Sequence, residues 1–265
     1  MIRTMSSFSR RTRKTASLLL AVFAFCLIAN QASAGTRNFT YVYETTTQPK
    51  GAWEYEQWVT WKTDKDTDPE YDRIEFRHEL EFGVTDKFQL GLYLSDWRYT
   101  DGASVSNDGT EWRTFAIEGI YNLTNPTTDF LGSALYGEFL FGDEKLAVEA
   151  KLLLQKKIDN WNFAYNLVYE AEWEGKDFNE EKGVFEQTFG VSYQINPSIS
   201  VGFEGLHEIE YEDFTEAGDD VVYFGPNFAY RSKSNWWFTV TGLFQATSVD
   251  SEPNIQTRLL VGFDF

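Results

Sequence analysis

The sequence predicts an all-β protein, an antiparallel up-and-down transmembrane β-barrel of about twelve strands. Three observations lead to this prediction. Apolar and polar residues alternate with period two through most of the chain, which is the period of a strand. The connections between these stretches alternate between mostly long, acidic segments and short turns. Beyond the N-terminus, no run of about 18 apolar residues exists, which excludes a helical membrane protein.

The stretch 71–94 carries the clearest alternation. Its apolar residues are Ile74, Phe76, Leu80 and Phe82, and its charged residues are Arg73, Glu75, Arg77, Glu79 and Glu81. A tight turn at residues 84–87 leads into a second strand. A transmembrane barrel turns its apolar face to lipid and its polar face to the lumen, so a fully charged face favours it. The rival fold is a soluble sandwich or lipocalin-like barrel with the faces inverted.

The other strands follow in order along the chain. The first is predicted at residues 53–62, and those after the hairpin near residues 112–123, 130–141, 146–154, 161–173, 185–195, 199–203, 222–230, 236–244 and 255–265. Connections after odd strands are predicted to be mostly long and acidic, as at 63–70, 174–182 and 212–220. Those after even strands are predicted to be short turns. This asymmetry is typical of outer-membrane barrels.

Residues 1–34 are predicted to be a cleaved secretory signal, with basic residues at positions 10–14, an apolar stretch and a small-residue site ending at Ala34. Cys26 falls inside it, so the mature chain has no cysteine. Residues 35–265 form the predicted barrel, and residues 35–49 are a lead-in on the periplasmic side or in the lumen, where it could act as a plug.

The charge of the chain excludes one class of partner. The formal net charge is −18, and removal of the basic signal segment makes it more negative. Nucleic acid and anionic surfaces are therefore not expected as partners. The balance fits an exported protein with acidic loops.

The C-terminal residues 259–265, Leu-Leu-Val-Gly-Phe-Asp-Phe, resemble the assembly signal of bacterial outer-membrane β-barrel proteins. The opening Pro-Lys-Gly-x-Trp-Glu at residues 49–54 is similar to small porin-like barrel families of unknown function. The resemblance implies an outer-membrane location, contact with outer-membrane lipid, and insertion by the barrel-assembly machinery, which would read Phe263 and Phe265.

The polar faces of the strands define the predicted lumen. Its lining residues are predicted to be Glu54, Glu56, Arg73, Glu75, Arg77, Glu79, Glu118, Glu138, Glu149, Lys151, Glu170, Glu172, Glu186, Glu204, Glu208 and Arg258. The large side chains Trp58, Trp97 and Trp112 are also assigned to the interior. Because acid outnumbers base, the lumen is either a water-filled pore with a cation-favouring field or a closed network of Glu with Arg and Lys.

The sequence therefore predicts a narrow, weakly cation-selective channel for passive diffusion of small solutes, with no cofactor. The alternative is a closed structural or surface-binding barrel whose acidic loops contact surface polymers or divalent cations. Residues 64–70 mimic the start of a calcium loop, but Pro69 stands where glycine is needed.

An outer-membrane enzyme of the lipase or deacylase type is the third hypothesis. The chain has two histidines, and the faces of His78 and His207 are both assigned to lipid. No outward serine is expected near either histidine on the neighbouring strands. Since nucleophilic catalysis needs a serine beside its base, the protein is predicted not to be an enzyme.

Overall fold

A computed structural model of the protein describes residues 37–105 and 108–265. The strands are β1 (Trp53–Lys65), β2 (Asp68–Thr85), β3 (Phe88–Asp101), β4 (Gly109–Thr124), β5 (Gly132–Phe141), β6 (Lys145–Ile158), β7 (Trp161–Glu174), β8 (Glu180–Asn196), β9 (Ile199–Glu212), β10 (Glu216–Arg231), β11 (Trp236–Gln245) and β12 (Pro253–Asp264). The predicted signal at residues 1–34 lies outside the described residues. Within them, no helix is long and apolar enough to cross a membrane.

The twelve strands form one closed antiparallel barrel. Each strand pairs with the next along the chain, and β1 pairs with β12 to close the sheet. Full closure leaves no strand edge exposed for pairing with other chains. The predicted fold class is confirmed. We call the end at which β1 begins and β12 ends the near end, and the opposite end the far end.

The strands reach further at the far end than the sequence predicts. β1 continues to Lys65 and β2 begins at Asp68, so the predicted loop 63–70 is a two-residue turn between long strands. The acidic segments 174–182 and 212–220 are also strand for much of their length, because β8 begins at Glu180 and β10 at Glu216. The connections at these three places are therefore shorter than predicted. At the far end the backbone hydrogen bonds between neighbouring strands continue beyond the last apolar residues. The sequence there has no alternation of apolar and polar residues from which a strand could be predicted.

The outer surface of the barrel is apolar along the middle of the strands. Large apolar side chains are exposed there, among them Leu92, Ile117, Leu135, Phe139, Leu167, Phe189 and Phe224. Aromatic pairs lie near the rims. The rings of Trp161 in β7 and Tyr193 in β8 lie 5.0 Å apart at the near end, and those of Trp173 in β7 and Phe214 in the turn between β9 and β10 lie 5.7 Å apart at the far end. Such rings suit a membrane interface.

Two tryptophans predicted to lie inside the barrel are on its outside. The pairing of β3 with β4 shifts register between Tyr93 and Asp96 and again at Trp97. An extra residue in a strand reverses which face the following side chains take. Trp97 therefore stacks on the outward ring of Phe76 at 4.0 Å, and Trp112 is 38% exposed. Trp58 is buried inside, as predicted.

The lead-in before β1 lies inside the barrel. Phe39, Val42 and Thr45 are essentially inaccessible to solvent, although no strand includes them. The chain leaves the lumen at Gly51, whose amide donates to the carbonyl of Gly83 in β2 at 2.7 Å. We call residues 37–48 the plug. Of the two placements left open by the sequence, the lumen is the one that the structure adopts.

Candidate functional site: a charged cavity above a plug

A cavity of about 300 Å³ occupies the interior between the plug and the far end. Tyr41 and Tyr43 of the plug contribute to its lining, and charged side chains provide most of the remainder. Its acidic members are Glu75, Asp96, Glu138, Glu149, Glu170, Glu172, Glu186 and Glu208, and its basic members are Lys62, Arg77, Arg98, Arg113, Lys145, Lys151 and Arg258. Acidic and basic groups are thus nearly balanced.

Arg77 is the central cation of the cavity wall. Its guanidinium lies 2.7 Å from Glu138 and 3.5 Å from Asp96. The same group lies over the ring of Tyr93, 3.9 Å from its centroid. Arg77 of β2 therefore links its neighbour β3, through Asp96, with β5 three strands along the wall, through Glu138.

Carboxylates follow one another around the wall from strand to strand. Glu118 pairs in register with Glu138, Glu138 with Glu149, and Glu149 with Glu170. Like charges directly opposite one another destabilise a sheet unless cations intervene. Lys151 lies 2.9 Å from Glu149, and Lys145 lies 3.7 Å from Glu170. The basic side chains therefore offset this row of acids.

Glu204 in β9 is the main attachment point of the plug. Its carboxylate accepts three successive backbone N–H groups, from Thr40 at 2.9 Å, Tyr41 at 2.7 Å and Val42 at 3.3 Å. The Thr241 hydroxyl donates to it at 2.5 Å. Hydrogen bonds to a carboxylate are about twice as strong as neutral ones. One wall side chain thus fixes three residues of a segment that has no secondary structure of its own.

Neutral amides hold the rest of the plug. The Asn166 side chain accepts from the backbone N–H of Tyr43 at 2.7 Å and donates to the Tyr43 carbonyl at 3.0 Å. Gln155 accepts from the Thr45 N–H at 3.0 Å. Asn122 donates to the Thr45 carbonyl at 2.6 Å. The wall therefore replaces the backbone partners that a strand would have supplied.

Cations pack on the plug's tyrosine rings from both sides. Arg258 lies 3.9 Å from the ring centroid of Tyr41, and Lys151 lies 4.3 Å from that of Tyr43. Burial raises the pKa of both tyrosine hydroxyls above its usual range. These contacts attach the plug, whose tyrosine rings line the cavity, to cations of the barrel wall.

The sixteen predicted lining residues fall into four places. Ten line the cavity: Glu75, Arg77, Glu138, Glu149, Lys151, Glu170, Glu172, Glu186, Glu208 and Arg258. Glu204 holds the plug, and Arg73 lies 3.9 Å from Glu75 towards the far rim. Glu54, Glu56, Glu79 and Glu118 are fully buried nearer the near end.

Sequence reasoning missed several cavity residues and all of the neutral plug ligands. Lys62 has the same parity as the inward residues of β1 and could have been included. Arg98 and Arg113 could not have been predicted, because the register shifts between β3 and β4 decide whether their side chains point into the lumen. With these cations included, acidic and basic groups are nearly balanced in the cavity, whereas the buried glutamates nearer the near end keep that part of the lumen acidic.

The two histidines lie on the outer wall, where the sequence placed them. His207 contacts Asp220 at 2.6 Å, and the ring of His78 hydrogen-bonds with the Tyr55 hydroxyl at 2.8 Å. The expectation that no serine lies opposite is wrong for His78. The shifted register of β3 pairs it with Ser95.

Solved structures of outer-membrane β-barrel proteins share this fold. The COG4313 outer membrane channel from Pseudomonas putida F1 superposes with a TM-score of 0.62 at 12% identity, covering 86% of this chain and 100% of that one. The NanC porin gives 0.55 at 10% identity, covering 80% and 100%. The translocator domain of the autotransporter NalP from Neisseria meningitidis gives 0.52 at 10% identity, covering 98% of each.

At these identities the likeness shows the fold alone, which is that of a porin-like barrel. Residues 31–254 match the sequence profile of a family described as a family of unknown function, DUF6662, and the chain belongs to that family. No curated protein sequence is significantly similar to it.

Proposed function

We propose that the protein is an outer-membrane, porin-like channel for the passive diffusion of small solutes. The apolar belt between two aromatic rims supports insertion into a bilayer, since it has the arrangement of lipid-facing strands in such barrels. The solved channel and porin named above share the fold. Outer-membrane lipid is then the partner of the outer wall.

The observation that carries the proposal is the charged cavity inside this apolar wall. Side chains of Lys62, Glu172 and Arg258 are all directed into one space. Charged groups in such a space are stable only when paired or hydrated, and hydrated charges can pass small polar solutes. The path would run from the far end through the cavity and past the plug.

The channel is proposed to favour cations weakly. Within the cavity, eight acidic groups face seven basic ones, so the field there is small. Below the cavity, the buried acids Glu54, Glu56 and Glu79 have fewer cationic neighbours. A cation passing the plug would therefore meet more negative than positive charge.

Planar-bilayer conductance under a salt gradient tests this function. We expect a small conductance from the wild type and a larger one from a variant lacking residues 37–48, because the plug fills the near half of the lumen. The reversal potential should lie on the cation side and shrink in the double variant Glu170→Gln/Glu172→Gln. A folded, inserted, plug-free protein that conducts nothing would overturn the proposal.

A closed structural or surface-binding barrel is the second candidate, and the hydrogen bonds of the plug favour it. Five backbone N–H groups of the plug donate hydrogen bonds to wall side chains, which are those of Glu204, Asn166 and Gln155. The plug is therefore firmly held. In that case the acidic far-end turns would contact surface polymers or divalent cations. Wild-type protein that never conducts, while the plug-free variant does, would favour this second function.

An outer-membrane enzyme is the third candidate, and the pairing of His78 with Ser95 is the one feature in its favour. The chain is proposed not to be an enzyme, because the His78 ring is engaged with Tyr55. An ester hydrolase assay on wild type and Ser95→Ala in detergent checks this. Activity that the substitution abolishes would reverse the assignment.

Insertion is proposed to depend on the barrel-assembly machinery acting through the C-terminal strand. Phe263 is exposed on the outer face of β12, opposite Tyr55 of β1. Deletion of Phe265 should lower the amount of inserted protein without changing the conductance of each inserted molecule. Assembly of the truncated chain at wild-type levels would show that Phe263 and Phe265 are not the signal.

A further inference from the structure

Five buried carboxylates gather at the near end of the lumen, below the cavity. We call Glu54, Glu56, Glu79, Glu81 and Glu118 the carboxylate cluster. Each is at most 4% exposed. Glu54 lies directly opposite Glu81, and Glu56 directly opposite Glu79, in the pairing of β1 with β2. Facing pairs of like charge destabilise a sheet, so the cluster needs compensation.

The described residues provide little compensation. Among them, the ion pair from Arg37 to Glu56 at 3.0 Å is the one ion pair made to the cluster. Neither oxygen of Glu54 or Glu79 accepts a hydrogen bond from any residue that the structure describes, nor does one oxygen of Glu118. Buried carboxylates without partners are strongly unfavourable, whereas the acids of the cavity have Arg77, Lys145 and Lys151.

A second feature, outside the cluster, is an oxygen atom that could also bind a cation. Gln48 of the plug is 4% exposed and donates its amide to Glu81 at 3.0 Å. Its carbonyl oxygen, Oε1, has no hydrogen-bond partner within the described chain. A small cavity of about 30 Å³ is lined by Gln48 together with Arg37, Glu54, Glu56 and Glu81. A space of this size holds a water-sized particle.

Gly91 on β3 leaves room for two of the carboxylates. It lies between Glu81 on β2 and Glu118 on β4 in register. A Cβ atom at this position would lie 2.6 Å from Glu79 Oε1 and 2.5 Å from Glu118 Cγ. A side chain here would force the two carboxylates away, so the glycine permits their convergence.

The spacing of the oxygens fits a metal ion. In the set Glu54, Glu56, Glu81 and in the set Glu79, Glu81, Glu118, one oxygen from each residue lies within 4.8 Å of the others. Calcium binds oxygens at about 2.4 Å, so ligands on opposite sides of it are about 4.8 Å apart. Every ligand atom offered is an oxygen, which selects a hard cation over zinc or copper.

We propose that the carboxylate cluster and the Gln48 carbonyl bind a divalent cation, with Ca²⁺ the best fit by ligand number. The ion neutralises the facing acids and joins β1, β2 and β4 to the plug through Gln48. This site is separate from the acidic far-end turn 64–70, which the sequence offered as a weak cation site. The inference does not rest on conduction, because a closed barrel would bind the ion equally well.

Calorimetric titration of Ca²⁺ into the folded mature protein in detergent, after chelator treatment, tests the site. We expect saturable binding, with an affinity lowered on the order of 10- to 100-fold in Glu79→Gln and in Glu81→Gln. Asp66→Asn is the matched control, since Asp66 lies in the far-end turn and contacts Asn254 at 2.8 Å. It should bind as the wild type does.

Terbium luminescence detects an ion bound at the carboxylate cluster without any substitution of the cluster residues. The Trp58 indole donates to Glu56 at 2.8 Å, so it can sensitise an ion held by the cluster. Luminescence that Ca²⁺ displaces and that Trp58→Phe lowers more than Trp161→Phe would support the site. Absence of Ca²⁺ binding to the folded wild type, or binding lost in Asp66→Asn and retained in Glu81→Gln, would overturn the proposal.

Discussion

The two halves of the lumen use polar side chains in opposite ways. In the far half, acids and bases of the wall pair with one another across an open cavity, as Arg77 does with Glu138 at 2.7 Å. In the near half, Glu204, Asn166 and Gln155 turn to the backbone of the plug. The same inward-facing positions of a barrel can therefore either line a space or fill it, depending on whether a chain segment is available to satisfy them.

The largest expected effect comes from removal of the carboxylate that holds the plug. Glu204→Ala leaves the N–H groups of Thr40, Tyr41 and Val42 without their acceptor. A buried unsatisfied donor costs about 1–3 kcal/mol. We expect the free energy of unfolding, measured by urea titration in lipid vesicles, to fall by about 3 kcal/mol or more.

Glu208→Ala is the matched control for this experiment. Glu208 has the same inward parity on β9 but lines the open cavity. Its removal should change the free energy of unfolding by about 1 kcal/mol or less, because its half-buried carboxylate faces the cavity and does not hold the plug. Equal losses in the two variants would show that the two halves of the lumen do not differ in this way.

A smaller effect is expected where the wall touches the plug without hydrogen bonds. A Cβ atom on Gly190 would lie 2.6 Å from the ring of Phe39, which is completely buried. Gly190→Ala should therefore lower the free energy of unfolding by about 1–3 kcal/mol and raise conductance, as overpacking pushes the plug aside. At Gly242 a Cβ meets nothing within 4 Å, so stability and conductance of Gly242→Ala should match the wild type.

Substitution of Arg77, the central cation of the cavity wall, should change the ion selectivity of the channel more than the stability of the protein. Arg77→Met removes the partner of Glu138 and Asp96, whose side chains are 3% and 19% exposed. Water in the cavity offsets part of the loss, so we expect about 1–2 kcal/mol of destabilisation. The reversal potential under a salt gradient should move further to the cation side. A shift towards anions would contradict the balance of charges described for the cavity.

The smallest effect is expected at the rim of the cavity. Lys145 lies 2.6 Å from Glu172. Lys145 also lies 3.7 Å from Glu170 and keeps that partner in Glu172→Gln, so the free energy of unfolding should fall by about 1 kcal/mol or less. Thermal unfolding in detergent measures the difference. A loss as large as that of Glu204→Ala would mean that the cavity is as closed as the plugged half.

Particular strands show how far sequence reasoning reached. The alternation along β7, from Trp161 to Trp173, gave the strand and its two faces correctly, because apolar and polar residues keep strict parity there. Along β3 the prediction of inward and outward faces failed after Tyr93. An unpaired residue there exchanges the two faces, and nothing in the sequence pattern marks its position. At the far end the alternation ceased before the strands did, so the turns were predicted too long.

By itself, the sequence determined the strand count, the apolar outside and the charged inside, because each depends on the local alternation of side chains. Only the tertiary structure decided which inward groups meet. The path of the plug brings the backbone of Tyr41 to Glu204, and the register of β1 with β2 places Glu54 opposite Glu81. Contacts between residues distant in the chain depend on register and on the path of the plug, and neither is encoded in a local pattern.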